Sequence, residues 1–133
     1  MKRSVLFLLL SITVAASSQI PDHVYKSNIR SIRLHKAGDP YSYPIIRLNS
    51  GEDLDLYFDD LDGDIKYYYY TFQLCNADWS PNTELRTFDY LRGFLSNRIS
   101  TYRNSSIAFV KYTNYYARLP DKNLHLPGRV IIY

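Results

Sequence analysis

Residues 54–61 alternate in a way that fixes the class of fold: Leu54, Leu56 and Phe58 are apolar, with Asp55, Tyr57 and Asp59 between them. A period of two belongs to a strand with one buried face. The next run, residues 65–75, holds Tyr67, Tyr68, Tyr69, Tyr70, Phe72 and Leu74, with Thr71 and Gln73 separating the last apolar positions. Tyr68, Tyr70, Phe72 and Leu74 are expected to share the inner face, and Tyr67, Tyr69, Thr71 and Gln73 the other. Asp62-Gly63 lies between the two runs and predicts a hairpin turn. Aromatic residues on both faces of one strand call for a central strand, or for a surface that something covers.

Residues 19–28 read as a lead-in. Short strands are expected at 29–34 and 45–48, the second following Pro44 because proline cannot donate to a ladder. Gly38-Asp39-Pro40 marks a turn between them. Residues 76–82 are turn-rich and hold the one tryptophan, Trp79. Phe88, Tyr90, Leu91 and Phe94, around Gly93, read as an aromatic loop or short helix, and residues 95–104 as polar and irregular. A second long strand is expected over 106–119, stopped by Pro120, and a last one starts at Val130. Short strands without a helix of ordinary length predict an all-β, antiparallel β-sandwich. A parallel α/β sheet is disfavoured, because long crossover helices are missing.

The N-terminus reads as a secretory signal peptide over residues 1–18. Lys2 and Arg3 make a basic start, an apolar run follows over 5–16, and Ala15, Ala16, Ser17 and Ser18 supply a small-residue cleavage site. The run is shorter than the ~20 residues that a membrane crossing needs. The rest suits one domain, which buries roughly 65% of its unfolded surface. Cys75 is the single cysteine, so packing rather than an internal disulfide must hold the exported domain. In its apolar setting Cys75 reads as a small buried hydrophobe. Without Lys2 and Arg3 the net charge falls from +3 to +1, too little for a nucleic-acid footprint.

Acidic residues crowd between Glu52 and Asp64. Asp60-x-Asp62-Gly63-Asp64 offers carboxylates at alternate positions, and calcium favours clustered oxygens. The EF-hand pattern is incomplete, and a solvated hairpin turn explains the same residues more simply. His23, His35 and His125 are far apart, and neither a nucleophile motif nor a glycine-rich phosphate loop occurs. No catalytic residue, metal ligand or cofactor is expected. The fourteen tyrosines favour strands and suit a partner surface. Trp79 either caps the core or anchors a partner. Asn76 and Asp78 beside it are expected to make side-chain-to-backbone turn bonds.

Phe58-Asp59-Asp60-Leu61, the tyrosines at 67–70, Leu74-Cys75-Asn76-Ala77-Asp78-Trp79 and Tyr90-Leu91-x-Gly93-Phe94 resemble the N-terminal domain of the type IX secretion system plug proteins of Bacteroidota. That domain was long catalogued as one of unknown function. Tyr112-Thr113-Asn114-Tyr115, Leu119-Pro120 and Leu126-Pro127-Gly128-Arg129-Val130 continue the likeness, which covers residues 24–133. Asn114 and Arg129 depart from the family pattern, which tends to carry histidine and an aromatic residue there.

The resemblance implies an Ig-like β-sandwich over residues 29–133, in the periplasm and peripheral to the outer membrane. It would block the outer-membrane translocon barrel of the type IX system by steric occlusion, with no bond made or broken. No nucleic acid or small-molecule substrate is expected. Family members run several times longer, so the chain is cast as the first domain of a larger protein, its sandwich open to truncation at the last strands. Tyrosine-rich faces give rigid contact area at small entropic cost, and Tyr67, Tyr69, Trp79, Tyr90 and Phe94 are the candidate contact residues. The alternative is a generic envelope sandwich that acts as a spacer or contacts carbohydrate, since aromatic rings stack on sugars too.

Overall fold

The computed structural model describes residues 23–107 and 109–132. The signal peptide expected over 1–18 lies outside them. The described strands are β1 (Ile29–Lys36), β2 (Leu54–Asp60), β3 (Tyr68–Tyr70), β4 (Phe72–Cys75), β5 (Asn97–Ile99), β6 (Thr101–Asn104), β7 (Thr113–Leu119) and β8 (Arg129–Ile132). One short helix, α1 (Thr87–Tyr90), and a 3-10 turn (Asp121–Asn123) complete the elements. A four-stranded sheet runs in the order β1-β2-β7-β6, while β3 pairs with β5 and β4 with β8. Every pairing is antiparallel, so the all-β class is as the sequence predicts.

Alternation builds the core from both layers. On β7, Thr113, Tyr115, Ala117 and Leu119 are buried while Asn114, Tyr116 and Arg118 face outward. Opposite them on β2, Leu54, Leu56 and Phe58 point the same way, and Phe58 lies directly across from Tyr115. Tyr70, Phe72 and Leu74 join the same cluster from the second layer, together with Tyr90, Leu91 and Ile99. The inner face expected for residues 68–74 is therefore the observed one. Cys75 is also buried, at 7% exposure.

The expected hairpin between 54–61 and 65–75 does not form. β2 has β1 on one edge and β7 on the other, so no edge remains for β3. Residues 61–67 instead carry the chain to the second layer. Gly63 sits there at φ 73, and a Cβ would stand 2.7 Å from the Cβ of Lys111, so both conformation and room demand glycine. The strand expected at 45–48 is absent because that stretch is irregular and finds no ladder partner. The strand expected over 106–119 starts only at Thr113. Conversely, residues 95–104 hold two strands rather than irregular chain. β5 and β6 are separated only by Ser100, yet β5 pairs with β3 and β6 with β7. The backbone thus changes sheet at Ser100, making a sandwich corner.

One irregularity shapes the outer face of the four-stranded sheet. The β1–β2 register shifts between Arg30 and Arg33, with Ser31 at φ 54, which is a β-bulge. Its effect is to leave Arg30 opposite Asp59, Arg33 opposite Tyr57 and His35 opposite Asp55, all on the outward side.

Candidate binding surface

The second layer turns tyrosines outward. Tyr67 is 69% exposed and Tyr69 56% exposed. Arg98, across the ladder from Tyr69, places its guanidinium 4.0 Å from the centre of the Tyr67 ring. That cation–π contact holds the ring in a fixed, wet position. Phe94 lies in the loop leading to β5 and is 81% exposed. The Thr71 hydroxyl donates to the Leu95 carbonyl at 2.5 Å and pins this loop beside the end of β3.

Tyr90 does not belong with them. It is 2% exposed and packs into the core, so the expectation that it offers its ring to a partner fails. α1 turns its side chain inward, and the Tyr90 carbonyl accepts the His125 amide at 2.9 Å.

Trp79 closes a tight turn after β4. The Trp79 amide donates to the Asn76 carbonyl at 3.1 Å, and the Asn76 amide to the Ser80 carbonyl at 2.9 Å. Asp78 accepts from the Ser80 amide at 3.0 Å and its hydroxyl at 2.6 Å. The turn bond expected of Asp78 is therefore present, while Asn76 uses its amide side chain on the Ser80 hydroxyl. Trp79 itself has φ 67, a conformation that costs a non-glycine residue about 1–2 kcal/mol. Its ring is half-buried under the Arg129 guanidinium, 5.2 Å from the ring centre, and Arg129 also donates to the Ala77 carbonyl. The indole Nε1 is shielded from solvent and has no hydrogen-bond partner among the described residues. Nothing in the sequence marked Arg98 or Arg129 as a ring partner, since strand pairing brings them beside Tyr67 and Trp79 from far along the chain.

The acidic turn is a closed ion cluster. Asp60 is fully buried, and its carboxylate accepts from Asn28 at 2.7 Å, the Asp62 amide at 3.1 Å, Lys66 at 3.0 Å and the Tyr68 hydroxyl at 2.7 Å. Lys66 also bonds Asp62, and it lies 3.2 Å from Asp64. The carboxylate oxygens of Asp60, Asp62 and Asp64 come within 4.8 Å of one another. The Lys66 ammonium thus sits among the very carboxylates that the calcium reading invoked.

Burial pushes the Asp60 pKa up, but the Tyr68, Asp62, Lys66 and Asn28 donors outweigh it and bring it down to about 2. Tyr68 is raised to about 12 by burial and by the carboxylate beside it. Because the folded pKa of Asp60 lies below the unfolded value of 3.8, the unfolded chain binds the proton first as acid is added. The stabilisation is full above about pH 4 and is lost as pH falls through about 2. Its size is roughly 2 kcal/mol. Urea titrations at pH 5 and pH 2 should show that loss, and Asp60→Asn should show a correspondingly flatter pH dependence. An equal slope in both proteins would assign the acid sensitivity to other carboxylates.

The described residues thus form a two-layer antiparallel sandwich with arginine-stacked aromatic rings at its surface. The chain belongs to the family described as type 9 secretion system plug protein, 1st domain, which matches residues 29–132. A crystal structure of a hypothetical protein from Parabacteroides merdae is similar, with a TM-score of 0.74 and 28% sequence identity. The likeness covers 81% of this chain and 28% of that one, so the chain spans little more than a quarter of its relative. No curated protein matches the chain. Membership ties the domain to an envelope secretion system.

Proposed function

We propose that this domain is a non-enzymatic, periplasmic binding module that helps occlude the outer-membrane translocon barrel of the type IX system. The observation that carries the reading is the exposed Tyr67–Arg98–Tyr69 cluster on a chain of the plug family. Tyrosine and arginine dominate interface hot spots because they bury large area with few rotatable bonds. Phe94 beside β3 and the half-buried Trp79 beyond β4 extend the same candidate contact set. Occlusion needs only reversible binding across a pore mouth, and the turn that clusters carboxylates already spends them on Lys66.

The test is recovery of the barrel protein with the chain from detergent-solubilised outer membrane. Tyr67→Ala with Tyr69→Ala should reduce recovery at least tenfold, while stability changes by no more than about 0.5 kcal/mol, as for exposed positions generally. Undiminished recovery by a folded variant would remove this face as the contact. Retention on a glycan resin with no barrel recovered would favour the carbohydrate reading instead.

A further inference from the structure

The outer face of the four-stranded sheet lies on the other side of the sandwich from Tyr67 and Tyr69, and it has a different chemistry. Across its middle run Arg33, Tyr57, Tyr116 and Thr101 in ladder register. The Tyr57 and Tyr116 rings lie 4.8 Å apart, and the Arg33 guanidinium lies 5.6 Å from the centre of Tyr57. The neighbouring row holds Asp59, Asn114 and Arg103. Between the rows and the loop after β6 is a cleft of about 410 Å3, lined among others by Arg33, Asp59, Arg103, Ser105, Tyr112 and Asn114.

Charge on this face is unbalanced. Asp55 is spent: it is buried and accepts from Arg118 at 2.9 and 3.2 Å and from Tyr116 at 2.9 Å. Asp59 accepts the Asn114 amide at 2.7 Å. Arg30, Arg33 and Arg103 have no carboxylate within 4.0 Å among the described residues. Among the described residues Asp59 is thus the one carboxylate on this face that no arginine takes, and it faces Arg33 and Arg103, while the Arg30 guanidinium donates to the Ile29 carbonyl at 2.9 Å.

We infer that this face docks an acidic, extended segment of a partner protein, with Arg33 and Arg103 each taking a carboxylate across the cleft. A guanidinium fork matches the two oxygens of a carboxylate. The Tyr57–Tyr116 pair between them supplies flat apolar area for the segment's backbone and side-chain stems. The site does not depend on the translocon contact, which uses the opposite face.

The probe is a fluorescein-labelled octaglutamate peptide, followed by anisotropy against the intact chain at low ionic strength. Saturable binding that weakens with added salt is expected. Arg33→Gln with Arg103→Gln should raise the Kd at least tenfold, and Asp59→Asn should lower it several-fold by removing the opposing charge. Tyr67→Ala with Tyr69→Ala should leave it unchanged, so loss of barrel recovery and loss of peptide binding are separable. Failure to bind, an unchanged Kd in the arginine variant, or tighter binding to phosphatidylglycerol vesicles than to the peptide would each overturn the inference.

Discussion

Asp60→Ala should take a large share of the domain's stability, about 3–5 kcal/mol, because removing the buried carboxylate strands four donors. The substitution would leave Asn28, the Asp62 amide, Lys66 and the Tyr68 hydroxyl without their common acceptor. Three of these donors, on Asn28, Lys66 and Tyr68, are half-buried, so water replaces the lost bonds poorly. A single domain has only about 5–15 kcal/mol to lose. Asp60→Asn keeps the shape and one oxygen, and should fall between the parent and Asp60→Ala in urea midpoint. A cost below about 1 kcal/mol for Asp60→Ala would show that solvent satisfies the cluster in the absence of the carboxylate.

Tyr115→Ala should cost about as much, roughly 3–5 kcal/mol, for a different reason. Tyr115 is fully buried and stacks on Phe58 with ring centres 5.2 Å apart. Tyr68 meets it edge-on at 4.9 Å, and Tyr102 lies at 5.9 Å. Its hydroxyl accepts the Lys66 amide at 2.7 Å and donates to the Lys66 carbonyl at 3.2 Å. The ring therefore fills the core and the hydroxyl fixes the chain where it passes between layers. Tyr115→Phe keeps the ring and strands the Lys66 backbone, at about 1–3 kcal/mol. Thermal unfolding of the two variants separates these roles. If Tyr115→Phe is as stable as the parent, the Lys66 backbone has no need of that hydroxyl.

These two residues show how far the sequence could be read. The alternation in residues 54–58 and 68–74 told which side chains face inward, because that pattern is local and the core enforces it. Which strand lies beside which was not legible. Asp62-Gly63 has hairpin chemistry, yet β1 and β7 had already taken the two edges of β2. β6 was missed because all four of its residues are exposed, so it has no apolar period. The loop aromatics follow no period either: Tyr90 is buried and Phe94 exposed, with nothing local to distinguish them. Among the candidate contacts, Tyr67 and Tyr69 were placed outward by alternation alone. The basic outer face was hidden by the bulge at Ser31, which resets the parity of β1 after Arg30.

The pairing of β2 with β7 also sets the timing of assembly. Its nearest partners in sequence, Asp60 and Thr113, are more than fifty residues apart, and the ladder then extends outward to Leu54 and Leu119. The entropy of closing so long a loop must be met before any of those contacts form. Chains dominated by such distant pairings fold in milliseconds to seconds rather than microseconds. Until β7 begins to emerge during synthesis, β2 can hold only β1, and Phe58 lacks the Tyr115 ring it stacks on. The central sheet is completed late.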